Sequence, residues 1–222
     1  MEQPAREQGG EAQDVGPAAE DPRPLIVGIG GSGRSGSSTE RALALTLAAV
    51  EALGARTELF GGEQLGQLPH YDNSRSVRTA EEERFLTAVR RADGFVVGTP
   101  AYHGGVAGVV KNALDLLEDT ARDARPYLAG RAVGLVVTAY GWQATGVTLT
   151  SMRSIVHALR GWPTPLALTL NATGGLFDEV GQFKDANVNE TVKLIAAQIM
   201  QFTQAGRKPD DGGAKASAGS AP

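Results

Sequence analysis

The chain has 222 residues, 41% of them hydrophobic, and a formal net charge of -4. This length and composition are typical of one compact domain, and the acidic balance lacks the basic footprint of a nucleic-acid-binding protein. The absence of cysteine excludes disulfide bonds, thiolate metal sites and a cysteine nucleophile. No apolar stretch approaches the roughly 20 residues of a membrane helix, and residues 1–24 lack the basic and apolar regions of a signal peptide. We therefore expect no membrane or nucleic-acid partner, and a cytoplasmic location by default.

The two ends of the chain differ in composition from its middle. Residues 1–23 and 206–222 are rich in Gly, Ala, Pro and charged side chains. Neither end carries enough apolar surface to offset the entropy that ordering would cost. We therefore predict two disordered tails around one domain at residues 24–205.

Between these ends, apolar strands alternate with amphipathic helices. Residues 24–30 form a β-branched run without a polar face, as in a strand that helices cover on both sides. Residues 38–53 then repeat apolar side chains at helical spacing, and Gly54 follows as a C-terminal cap. Further strands are predicted at 56–60, 94–98, 132–138 and 165–170, and further helices at 79–92, 106–117, 146–159 and 190–202.

This alternation predicts an α/β fold with a doubly wound parallel sheet and helices on both faces. In such sheets, ligands bind outside the carboxyl ends of the strands, near the point where the strand order reverses. The loops after the first, third and fourth predicted strands are therefore the candidate binding site.

The first of these loops has the composition of an anion site. Residues 30–39 read Gly-Gly-Ser-Gly-Arg-Ser-Gly-Ser-Ser-Thr and lead directly into a helix, whose N-terminus attracts negative charge. The side chains that can bind a phosphate there are Ser32, Arg34, Ser37, Ser38 and Thr39. The Gly-Lys-Ser/Thr ending of a nucleoside triphosphate loop is missing. The alternative is a Gly/Ser turn in which a serine only caps the helix.

A second motif follows the third predicted strand, and together the two motifs resemble those of a known family. Residues 99–105 read Thr-Pro-Ala-Tyr-His-Gly-Gly, and the next helix contains Lys-Asn-Ala-Leu-Asp. The NAD(P)H-dependent FMN reductase family, which has a flavodoxin-like fold, pairs a G-S-x-R-x-x-S loop with T-P-x-Y and a later K-N-x-x-D. The matching positions are Gly31, Ser32, Arg34, Ser37, Thr99, Pro100, Tyr102, Lys111, Asn112 and Asp115.

The resemblance implies a five-stranded sheet in the order 2-1-3-4-5, and FMN with its phosphate in the first loop. The residues that it places along the isoalloxazine ring are Pro100, Ala101, Tyr102, His103 and Gly104. Relatives often contact the flavin with a turn after the fourth strand, which corresponds here to Ala139, Tyr140, Gly141 and Trp142. Two questions stay open: whether His103 tunes the flavin or faces solvent, and whether the aromatic side chains of this turn pack or stack on a ligand.

The resemblance also implies hydride transfer from NAD(P)H to FMN. The cofactors carry this chemistry themselves, so we predict no catalytic side chain and no metal site. The expected partners are FMN, NAD(P)H and an aromatic acceptor, in a homodimer or homotetramer as in relatives. Two alternatives remain: an FMN-bound oxidoreductase for a quinone, azo compound, metal oxyanion or small metabolite, and an electron-transfer flavodoxin.

Overall fold

A seven-stranded sheet forms the middle layer of the computed structural model, which describes residues 21–207. The strands are β1 (Leu25–Gly30), β2 (Arg56–Phe60), β3 (Gly94–Tyr102), β4 (Gly105–Val106), β5 (Ala132–Ala139), β6 (Trp162–Pro163) and β7 (Leu168–Asn171). The helices are α1 (Ser38–Glu51), α2 (Gly62–Gly66), α3 (Ala80–Arg91), α4 (Gly108–Leu116), α5 (Trp142–Ala158) and α6 (Ala186–Gly206), with a 3-10 turn at Leu117–Thr120. The two tails predicted at 1–23 and 206–222 fall almost entirely outside the described residues, so the domain bounds stay a prediction.

The sheet follows the predicted order. Its main path runs β2-β1-β3-β5-β6 with every neighbouring pair parallel, which confirms the doubly wound arrangement. The prediction of one fifth strand at 165–170 is wrong in one respect. Two short strands, β6 and β7, pair with β5 in place of that single strand. Pro163 and Pro165 lie at the interruption, and proline has no N–H to donate to a strand ladder.

Apolar side chains cover both faces of the sheet. Val27 and Ile29 of β1 pack in a buried cluster with residues of α3, α4 and α5, whereas Ile26 packs in a second cluster with residues of α1 and α6. Successive residues of a strand point to opposite faces, so this alternation places one layer of helices on each side. No helix among residues 21–207 is both long enough and apolar enough to cross a bilayer.

Two element boundaries differ from the sequence prediction and shape the site. β3 does not end near residue 98, because its ladder with β5 continues to Pro100 and its last two residues pair with β4. The intervening residues His103 and Gly104 have φ angles of 53° and 77°, and a two-residue type I′ hairpin turn requires such positive values at both positions. α5 begins at Trp142 instead of 146, with Gly141 as its N-cap. The connections that follow β3 and β5 are therefore only two residues long each, shorter than the predicted loops.

Candidate functional site

A cavity lies at the carboxyl ends of β1, β3 and β5, beside the point where the strand order reverses. It encloses about 540 Å³, part of which is open to solvent. Its lining residues are Ser32, Arg34, Ser37, Ser38, Thr39, Pro100, Ala101, Tyr102, Thr138, Ala139, Tyr140 and Ala172. The fold thus brings the three predicted loops together around one space.

Most of the predicted site residues line this cavity. All five side chains predicted for phosphate binding do so, as do Pro100, Ala101 and Tyr102 of the second motif and Ala139 and Tyr140 of the third segment. The predicted residues that do not line it are His103 and Gly104 of the hairpin turn, and Gly141 and Trp142 at the start of α5. Sequence reasoning missed Thr138 and Ala172. Thr138 is a polar residue at the end of an apolar strand, and that pattern could have indicated a site residue. Nothing in the sequence around Ala172 indicates one.

The first loop leads into the N-terminus of α1. Ser37 is the N-cap residue, and its buried Oγ accepts a hydrogen bond from the backbone N–H of Glu40 at 3.3 Å. That bond occupies only an acceptor position, so the hydroxyl proton remains free to be donated. Arg34 and Ser38 are exposed. Ser37 therefore caps the helix, and the loop still has hydroxyl and guanidinium donors for an anion.

A buried hydrogen bond connects the start of α1 with the end of β5. The hydroxyl oxygens of Thr39 and Thr138 lie 2.6 Å apart, and both residues are almost completely buried. Both also line the cavity. Because one hydroxyl donates to the other, the acceptor keeps its own proton for a further partner. The pair fixes the start of α1 against the central sheet.

The second motif owes its shape to Thr99. The Thr99 hydroxyl donates to the carbonyl oxygen of Pro100 at 3.0 Å and accepts from the backbone N–H of Ala107 at 2.9 Å. Thr99 is completely buried. These two bonds tie the segment that leads into α4 to the end of β3, and so hold Pro100 and Ala101 at the cavity wall.

The Lys-Asn-x-x-Asp part of the motif has a structural role. Asn112 accepts from the backbone N–H of Tyr71 at 2.8 Å and donates to the carbonyl oxygen of Pro69 at 2.9 Å. Lys111 and Asp115 form an exposed ion pair one helical turn apart, at 2.6 Å. Asn112 therefore holds the segment before α3 against α4, and none of these residues lines the cavity.

The aromatic side chains of the third segment face outward. Tyr140 is 85% exposed, and Trp142, the first residue of α5, is 64% exposed. Neither ring packs in the core of the chain, and stacking on a ligand stays a prediction. His103 is exposed at the tip of the hairpin turn.

Comparison with known proteins decides the family. The sequence profile described as NADPH-dependent FMN reductase matches residues 24–174, which are more than half of the chain. The chain belongs to the NADPH-dependent FMN reductase family. This membership confirms the predicted class of NAD(P)H-dependent flavin oxidoreductase and the predicted cofactors, FMN and NAD(P)H.

Relatives of this FMN reductase family member include two curated bacterial proteins. The NADPH azoreductase of Bacillus sp. (strain OY1-2) is 27% identical over 139 residues, which are 62% of this chain and 75% of that protein. The FMN-dependent NADPH-azoreductase of Staphylococcus haemolyticus (strain JCSC1435) is 32% identical over 120 residues, which are 53% of this chain and 60% of that protein. The chain thus spans well under two thirds of the staphylococcal enzyme.

A solved structure supports the fold. The flavoenzyme NAD(P)H:(acceptor) oxidoreductase FerB from Paracoccus denitrificans superposes with a TM-score of 0.66 at 16% identity, over 82% of this chain and 98% of that one. At this identity the likeness concerns the fold alone. Together with the strand order, it confirms the flavodoxin-like architecture expected from the sequence.

The cavity lining fits FMN at both of its ends. Four hydroxyl groups and the Arg34 guanidinium stand at the N-terminus of α1, where a phosphate would be held by charge-assisted bonds and by the helix dipole. Pro100 and Ala101 provide a flat apolar wall beside them. Among the described residues that line the cavity there is no carboxylate to repel an anion.

Proposed function

We propose that this protein binds FMN in the cavity at the ends of β1, β3 and β5 and oxidises NAD(P)H. The observation that carries the proposal is the composition of that cavity, whose lining combines hydroxyls and a guanidinium with an apolar wall. When bound there, FMN would supply a ring that accepts hydride from the reduced nicotinamide.

The protein's own residues would bind and orient. Arg34 and the hydroxyls of Ser32, Ser37 and Ser38 would hold the phosphate, and Thr39 would act with them. Pro100, Ala101 and Tyr102 would lie along the ring, with the backbone of Ala139 and Tyr140 at its edge. No side chain has to move a proton for hydride transfer, which agrees with the absence of His, Asp and Glu from the described cavity lining.

The acceptor of the electrons is proposed to be an aromatic compound that visits the open side of the cavity. The curated relatives named NADPH azoreductase and FMN-dependent NADPH-azoreductase support an azo compound as the first to test. The exposed rings of Tyr102, Tyr140 and Trp142 beside the cavity are suited to stacking on such a molecule. An electron-transfer flavodoxin is less favoured, because the phosphate loop carries Arg34 and is paired with the Lys-Asn-x-x-Asp motif.

Two further properties are part of the proposal. We expect a homodimer or homotetramer, as the family resemblance implies, and a cytoplasmic location. Size-exclusion chromatography with light scattering measures the first, and cell fractionation the second.

The central experiment is spectroscopic and kinetic. The purified protein is titrated with FMN and with riboflavin, and oxidation of NADPH and NADH is followed with and without FMN and an azo dye. We expect FMN to bind more tightly than riboflavin, and dye-dependent oxidation of the nicotinamide. Bound FMN without any NAD(P)H oxidation would favour the flavodoxin alternative. Failure to bind flavin would refute the proposal.

A further inference from the structure

The phosphate loop packs on the turn between β2 and α2 without any side chain between them. A Cβ atom added to Gly62 would lie 2.7 Å from the backbone nitrogen of Arg34, and one added to Gly31 would lie 2.7 Å from the backbone nitrogen of Gly62. Real Cβ atoms essentially never approach so closely. The shape of the loop around Arg34 therefore depends on where this turn lies.

One carboxylate joins the loop, the turn and α1. Glu40, in the first turn of α1, accepts from the backbone N–H of Gly62 at 2.8 Å through Oε2. Its Oε1 accepts from the backbone N–H of Gly36, inside the phosphate loop, at 3.4 Å. Gly61 is packed against the same carboxylate, because a Cβ there would lie 2.7 Å from Cδ of Glu40.

The position of Glu40 has a simpler explanation that does not account for these contacts. An acidic residue in the first turn stabilises a helix through its dipole, wherever its side chain points. Here the carboxylate also accepts from the backbone N–H of Gly36, directly before the N-cap residue Ser37, and from that of Gly62 on a separate segment. A negative charge so close to a proposed phosphate site would weaken anion binding unless it also organised that site.

We propose that Glu40 is a positioning residue that preorganises the phosphate loop for the phosphate group of the flavin. The inference rests on the proposed binding of FMN in this cavity. Fixing the loop before binding removes part of the entropy that binding would otherwise cost. The effect concerns only the phosphate end of the ligand. It should therefore change the affinity for FMN but not the affinity for riboflavin, which has the same ring and no phosphate.

The test compares Glu40→Ala with Glu51→Ala in the full chain freed of flavin. Glu51 is a matched control because it lies on the same helix, about 16 Å away at 1.5 Å per residue. It also accepts a bond from a neighbouring segment, the hydroxyl of Thr57. Dissociation constants for FMN and riboflavin are measured by flavin fluorescence, and the thermal midpoint is measured for each variant.

Glu40→Ala should weaken FMN binding about tenfold or more, as expected for lost bonds to a charged group, and change riboflavin binding by less than about twofold. Glu51→Ala should leave the ratio of the two constants unchanged. Glu40→Gln keeps one acceptor oxygen and should restore part of the FMN affinity. Gly62→Ala keeps Glu40 but should displace the phosphate loop from the side of the β2–α2 turn. It should therefore weaken FMN binding relative to riboflavin binding.

Three results would overturn the inference. Equal loss of FMN and riboflavin in Glu40→Ala would show a general role in folding. Unchanged affinity for both flavins would show no role, and tighter FMN binding would show that repulsion outweighs preorganisation. A wild-type protein with no preference for FMN over riboflavin would instead refute the phosphate site of the proposed function.

Discussion

The hydrogen bond between Thr39 and Thr138 allows a quantitative test of how the site is held together. The two hydroxyls are buried and 2.6 Å apart. Replacing either threonine by valine keeps the shape of the side chain and leaves the other hydroxyl buried without a partner. Such an orphaned group costs about 1 to 3 kcal/mol. Replacing both threonines removes the orphan, so the double variant should be little less stable than the wild type.

Urea unfolding of the flavin-free wild type, the two single variants and the double variant completes a double-mutant cycle. With a denaturant slope of about 2 kcal/mol per M, each single variant should lower the midpoint by roughly 0.5 to 1.5 M. Thr46→Val is the control, because that buried hydroxyl donates to the Ala42 carbonyl oxygen within α1 and leaves no orphaned hydroxyl. Because each single variant loses about 1 kcal/mol or more and the double variant loses little, the coupling energy between the two sites should reach about 2 kcal/mol or more. Additive effects of the two substitutions would refute the reasoning.

Three other predictions follow from the same structure. Arg34→Ala should weaken FMN binding by about tenfold without changing the thermal midpoint, since Arg34 is exposed; equal binding by titration would exclude a phosphate contact. Gly104→Ala should lower the free energy of unfolding by about 1 to 2 kcal/mol, because φ is 77° there. His103→Gly should neither destabilise the protein nor change NAD(P)H oxidation much. A collapse of turnover in the His103 variant would give this residue a role in the reaction. Asn112→Ala should cost about 1 to 3 kcal/mol in urea unfolding because Tyr71 loses the acceptor for its N–H, and a neutral result would contradict the anchoring role.

The sequence by itself determined most element types and the segments that form the site, whereas the strand order came from the resemblance to a known family. Strands such as 132–138 are apolar throughout because both faces are covered, and that pattern is visible without coordinates. The first loop was recognisable because its Gly, Ser and Arg residues stand immediately before a helix, where an anion is stabilised. Local composition and periodicity were sufficient for these features.

Other features were decided only by tertiary contacts. Thr138 joined the site through a hydroxyl of Thr39, 99 positions away in sequence, and no local pattern predicts such a pair. The tight hairpin after β3 arose because β3 continues beside β5 and then pairs with β4, which turned a predicted Gly-rich loop into a strand and a two-residue turn. Glu40 looked like an ordinary first-turn acid, and its bond to Gly62 exists only because the sheet places β2 next to β1. Periodicity reports which face of an element is buried, but only the packed fold determines which groups meet across elements.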